Sequence, residues 1–127
     1  EESVEFDGKV YTQNMVLGPE RKGIRIIYST DTRPTPSLEY FSKDADLAIL
    51  EGMYGSEEKD THAKQKMHMT FSEAALVAKK VNVKRLWLTH FSPSMPNPEQ
   101  YLDEAKNVFP NTEIGFDGKK DVIKFTE

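Results

Sequence analysis

The sequence predicts an α/β fold, a sheet with helices layered against it, on three observations. Residues 24–28, 44–50 and 84–90 are short runs rich in β-branched, aliphatic or aromatic residues, the composition of buried strands. Helix signals lie between and after them, and alternating strands and helices build a layered sheet. Each run then turns abruptly polar: Ser29-Thr30-Asp31 before Pro34, Glu51-Gly52, and Thr89-His90 before Pro93. Pro34 cannot donate to a sheet ladder and pushes Arg33 toward an extended conformation, so the first of these strands stops there.

The elements follow in chain order. Val4, Phe6, Val10 and Tyr11 flank Asp7-Gly8, which reads as a hairpin turn. Residues 17–23 are a turn-rich loop whose Arg21 and Lys22, with Arg25, solubilise the chain or meet phosphate. After the first strand, Ser37 is expected to cap a short helix through Lys43 with Leu38 and Phe41 turned inward. Residues 53–66 are polar, with a helix start near Ser56 and Glu57-Glu58; His62 lies among charges and is assigned no role. Thr70-Phe71-Ser72-Glu73 fits a capping box. The helix that it opens, residues 71–81, carries Phe71, Ala74, Ala75 and Ala78 on its inner stripe, small enough for close packing on a sheet. Asn97-Pro98 predicts another helix to about Phe109, stopped by Pro110. Residues 112–116 and 121–125, around Asp117-Gly118, read as a second hairpin.

Composition narrows the function classes. A chain of 127 residues is expected to be a single domain, 1–127. A net charge of −4 argues against a broad basic face for nucleic acid, though not against a local one. No signal-like start and no long apolar run are present, so membrane insertion and secretion are not expected. The absence of cysteine fits a cytoplasmic location and leaves only His and carboxylates as zinc ligands.

Asp31, Glu51 and His90 thus end three apolar runs. If those strands are parallel neighbours, the three groups line one sheet edge, where open α/β sheets place ligands. His68 stands just before the Thr70 cap, at the mouth of the alanine-rich helix.

Taken in order, Tyr28-Ser-Thr-Asp-Thr-Arg-Pro34, Leu50-Glu51, His68-Met69-Thr70 before the capped helix, and Leu88-Thr-His-Phe-Ser-Pro93 resemble the C-terminal half of the ribonuclease Z family. These are tRNA 3′-processing endonucleases of the metallo-β-lactamase superfamily. The Asp7-Gly-Lys and Met15-Val-Leu-Gly-Pro segments match the lead into that half, so the likeness covers nearly the whole chain. It implies half of a four-layer αβ/βα sandwich, often paired into a homodimer, and a two-zinc phosphodiesterase acting on precursor tRNA. By position, Asp31 matches the aspartate that bridges the two zinc ions, and His90 the last histidine ligand. His68 matches the histidine that contacts the scissile phosphate and assists the leaving group, and Glu51 the glutamate that supports it. Arg33, in the same segment as Asp31, is a candidate substrate contact.

Departures from the family pattern are also visible. Leu50 replaces the histidine that precedes the glutamate, a change able to reorient Glu51, and Gly52-Met53 replace Ala-Thr. Met69 replaces a serine, and Ser94 stands where many relatives have arginine. The family's main ligand motif, His-x-His-x-Asp-His, is absent; the histidines are His62, His68 and His90. Two ligands cannot hold two zinc ions. The 127 residues are therefore expected to bind zinc weakly, to cleave no RNA alone, and to need a missing N-terminal half. An exposed packing face should then favour oligomerisation. Other readings are another metallo-β-lactamase-fold hydrolase (lactonase, thioesterase or cyclic-nucleotide phosphodiesterase), a non-catalytic interaction fragment, or a receiver-like module phosphorylated on Asp31.

Overall fold

The computed structural model describes residues 3–125; the ends of the expected 1–127 unit lie outside the described residues. The chain opens with the predicted hairpin, β1 (Val4–Phe6) against β2 (Lys9–Tyr11), antiparallel and turning at Asp7 and Gly8, both at positive φ. A single helical turn, α1 (Gln13–Val16), follows. The main body then alternates: β3 (Ile26–Ser29), α2 (Pro36–Ser42), β4 (Leu47–Glu51), α3 (Asp60–Lys66), α4 (Phe71–Lys80), β5 (Leu86–Thr89), α5 (Leu102–Val108) and β6 (Thr112–Ile114). The last four strands form one sheet in the order β3-β4-β5-β6, every pair parallel.

That order explains the layering. A parallel sheet that grows strand by strand in one direction, through right-handed crossovers, carries all its crossover helices on one face. Accordingly α2, α4 and α5 pack on one another and on the sheet. Their contact layer is the core: Ala48 and Leu50 of β4, Leu86 and Leu88 of β5 and Ile114 of β6 against Phe71, Ala74, Ala75 and Ala78 of α4. The predicted inner stripe of α4 is buried completely. The opposite face is bare at β3, where Ile26 and Tyr28 are 54% and 69% exposed. Parallel sheets are ordinarily covered on both faces.

The α4 capping box forms as expected: Thr70 Oγ1 accepts the Glu73 N–H at 3.3 Å and Glu73 Oε2 accepts the Thr70 N–H at 3.0 Å. Other expectations are corrected. The cap of α2 is Thr35, whose Oγ1 accepts the Leu38 N–H, because Pro36, lacking an N–H, occupies the first helical position. Phe41 points outward beside β3, the edge strand of the sheet among the described residues. Asn97 makes no side-chain cap bond; a short 3-10 turn, Pro98–Tyr101, precedes α5. Ile24 lies before β3, which starts at Ile26.

The second hairpin is not formed. β6 pairs parallel with β5, and residues 121–125 adopt no strand. Asp117-Gly118 does turn the chain, with Gly118 at φ +82°. What returns is held by side chains rather than a ladder. Lys119 sits 4.6 Å from the Trp87 ring centroid and bonds Glu113, while Arg85 pairs with Asp121 and Glu113.

Candidate metal centre

The register of the parallel sheet decides which strand ends meet. Glu51 is paired with Thr89, and Ser29 with Leu50, so β3, β4 and β5 finish level with one another. Asp31 and His90 lie just past the ends of β3 and β5, and both take the left-handed conformation at φ +56°. That region is costly for most side chains and more open to Asp and His. In each case it turns the chain sharply off the sheet edge. A third left-handed residue, Met67 at φ +62°, ends α3 and throws His68 toward the same place. A parallel bridge between Tyr54 and Thr70, with the Phe71 N–H donating to the Tyr54 carbonyl at 2.9 Å, ties the His68 segment to the loop after β4.

Asp31, His68 and His90 accordingly converge, each offering an atom within 4.8 Å of the others. His90 Nε2 is 3.6 Å from Asp31 Oδ2. That is too long for a hydrogen bond. It is close to the roughly 3.3 Å that separates two ligands on a tetrahedral zinc with bonds of about 2.0–2.1 Å. Among the described residues His90 Nδ1 is buried without a hydrogen-bond partner. Donor type and spacing fit a metal ion, while three donors fall short of the two full coordination shells of a dinuclear site.

Glu51 lies beneath these groups and is fully buried. A buried carboxylate needs partners. Oε1 accepts the Thr32 N–H at 2.6 Å, and Oε2 lies 2.8 Å from His68 Nδ1 and 4.0 Å from His90 Nδ1. The preceding Leu50 points into the core on the other face of the sheet, so the missing histidine at that position leaves Glu51 aimed at His68. With Nδ1 turned to Glu51, the Nε2 side of His68 is left for a ligand. The imidazoles of His68 and His90 lie 5.7 Å apart.

Arg33 lies between Glu73 and the His68 backbone. Its guanidinium grips both Glu73 oxygens and donates to the His68 carbonyl at 2.5 Å. Burial pushes the Glu73 carboxyl up, but the Arg33 and Thr70 hydrogen bonds and the Arg33 charge outweigh it and hold the carboxyl below its ordinary range. The hydrogen bond to Glu73 in turn raises Arg33. Neither Thr32 nor Glu73 is singled out for the site by sequence: one acts through its backbone, and the other is legible only as a cap. His62 packs edge-on against Tyr54, 5.2 Å between centroids, and is not one of the three converging groups.

A family model described as the beta-lactamase superfamily domain matches residues 7–91. Ribonuclease Z of Clostridium acetobutylicum is 54% identical over 122 residues, which make up 96% of this chain and 40% of that protein. Ribonuclease Z of Lachnoclostridium phytofermentans is 48% identical over 124 residues, 98% and 41% respectively. The chain therefore spans about 40% of the length of the curated relatives it matches, in their C-terminal part. Among solved structures, the metallo-beta-lactamase fold protein YhfI from Bacillus subtilis superposes with a TM-score of 0.60 at 29% identity, over 71% of this chain and 36% of that one. A diphosphatase of the PhnP family shares the fold at a TM-score of 0.55 and 20% identity, over 80% and 36%. Its sheet-edge cluster of Asp31, His68 and His90 and the family match across residues 7–91 agree: the chain belongs to the beta-lactamase superfamily.

Proposed function

We propose that this chain is the C-terminal part of a zinc-dependent endoribonuclease that removes the 3′ trailer from precursor tRNA. The observation that carries the reading is the convergence of Asp31, His68 and His90 over the buried Glu51, in a chain 45–54% identical to ribonucleases Z. Asp31 and His90 would hold metal, and the remaining histidine ligands would come from an N-terminal half that also covers the bare face of the sheet. A pair of bound zinc ions supplies a water nucleophile active near neutral pH and offsets charge on the phosphodiester.

The other steps belong to residues of this chain. Glu51 orients the His68 ring through Nδ1. That leaves the opposite nitrogen to donate a proton to the leaving oxygen as the phosphodiester bond breaks. Arg33 stands beside this group; its closeness to the scissile phosphate is part of the reading, through His68 rather than by direct contact. The full enzyme is read as a cytoplasmic homodimer. Among the described residues no helix is long and apolar enough to cross a membrane.

Cleavage of a precursor tRNA by the full-length protein, compared with bis-p-nitrophenyl phosphate, tests the proposal. Trailer release that a chelator abolishes and zinc restores is the expected result. Hydrolysis of the small diester without trailer release would assign the chain to another hydrolase of the fold. The 127 residues alone should be inactive; tight binding of two metals by them would refute the split of ligands between two halves.

A further inference from the structure

Arg33 is two residues beyond Asp31, and Glu73 is three residues beyond the Thr70 cap of α4. The two side chains join segments 40 residues apart in sequence, and each is only 17% exposed. Arg33 Nη1 donates to Glu73 Oε2 at 2.6 Å and to the His68 backbone carbonyl at 2.5 Å, while Nη2 donates to Glu73 Oε1. A planar guanidinium meeting a carboxylate along both of its oxygens fixes direction as well as distance. Glu73 is itself immobilised, because Oε2 also accepts the Thr70 N–H at 3.0 Å. A continuous set of bonds thus runs from the Asp31 loop through Arg33 to the rigid start of α4, and separately to the residue that bears the His68 imidazole.

A cation meant for a substrate phosphate would keep its fork turned toward the cleft. Here the fork is occupied by Glu73, and the third bond goes to main chain. We infer that Arg33 and Glu73 are positioning residues: they fix the separation of the Asp31 and His68 loops and so set the geometry in which the cluster accepts a metal. The kinetic part of this inference rests on the ribonuclease reading; the metal-binding part does not.

The test uses the full-length protein with Arg33→Lys, Arg33→Ala and Glu73→Gln. Lysine keeps the charge and loses the fork. Glutamine keeps an oxygen for the Thr70 N–H, so the cap of α4 survives while the ion pair is lost. Zinc affinity by calorimetry, the visible spectrum of the cobalt-loaded protein, kcat and KM on precursor tRNA, and helicity are measured for each. Outer partners of metal ligands typically control affinity by 10–100-fold, so Arg33→Lys and Glu73→Gln should each weaken zinc binding roughly tenfold. They should also shift the cobalt spectrum and lower kcat at unchanged KM, with Arg33→Ala worse than Arg33→Lys. Unchanged zinc affinity with a raised KM would overturn the inference and make Arg33 a phosphate contact. Unchanged values throughout would also overturn it, as would loss of helicity in both Arg33→Lys and Glu73→Gln. A wild-type protein that binds zinc but leaves precursor tRNA intact would refute the ribonuclease reading, and the zinc and cobalt measurements would still decide the role of the pair.

Discussion

Glu51 Oε2 and His68 Nδ1 are 2.8 Å apart, joining a carboxylate with no exposed surface to an imidazole at the rim of the cleft. The other oxygen of Glu51 holds the Thr32 N–H, one residue from Asp31. One buried side chain therefore orients the groups expected to hold metal and to move a proton.

Replacing Glu51 separates these two tasks. In Glu51→Gln the amide keeps an oxygen for Thr32 but loses the second carboxylate oxygen that orients His68 through Nδ1. We expect kcat of the full-length enzyme to fall by about 10²-fold or more, within the range of general acid catalysis, with KM nearly unchanged. Glu51→Ala removes the partner of the part-buried Thr32 N–H, which costs up to about 1–3 kcal/mol in addition. Steady-state kinetics together with thermal unfolding check both; equal activity of Glu51→Gln and wild type would remove Glu51 from the reaction.

Asp31 and His90 sit at positive φ, so the choice of substitution matters. Asparagine tolerates the left-handed region, and Asp31→Asn should therefore remove a metal ligand with little loss of stability. Histidine is several-fold enriched in that region, so alanine at position 90 adds a backbone cost of about 1 kcal/mol to the lost ligand. Calorimetric zinc titration of the full-length protein should show weakened binding in both variants. In the zinc-free protein a fall in unfolding temperature should be confined to His90→Ala.

Much of this layout was readable in the sequence. The strands carrying Ile26, Leu47 and Leu86 and the stripe of Phe71, Ala74, Ala75 and Ala78 follow from apolar patterning, and Thr70 with Glu73 from capping chemistry. Local signals failed where tertiary contacts decide. Residues 112–114 pair with β5 instead of folding back, because Leu88 and Ile114 share the core under α5. Phe41 faces out because, among the described residues, no strand lies beyond β3. The grip of Arg33 on Glu73 spans 40 residues, and no local pattern encodes it.

Gly52, directly after Glu51, has no room for a side chain. A Cβ there would stand 2.7 Å from two carbons of the Phe71 ring, and Phe71 is fully buried. The aromatic ring fills the space that a larger residue at position 52 would need. Gly52→Ala should destabilise by about 1–3 kcal/mol through overpacking and should displace the end of β4 that carries Glu51. Gly52→Ala combined with Phe71→Leu should recover part of the stability, and thermal unfolding of the single and double variants reads this out directly.

Acid should unfold the molecule through its paired carboxylates. The hydrogen bond from Lys84, then that from the Arg25 N–H, holds Asp46 below its ordinary value of 3.8. Glu73 lies below 4.5 through Arg33 and Thr70 despite burial, and Glu113 through Lys119 and Arg85. Groups depressed in the folded state bind protons more readily in the unfolded chain, so they contribute stability above the unfolded values and lose it as pH falls through the folded ones. Unfolding temperature should therefore be flat with respect to these groups above about pH 5 and should decline progressively below about pH 4.5. Asp46→Asn and Glu73→Gln should each lower stability near neutral pH and flatten the acid limb, because a group that no longer titrates cannot be displaced by protons. An acid limb of unchanged slope in both variants would move the cause of acid unfolding to other carboxylates.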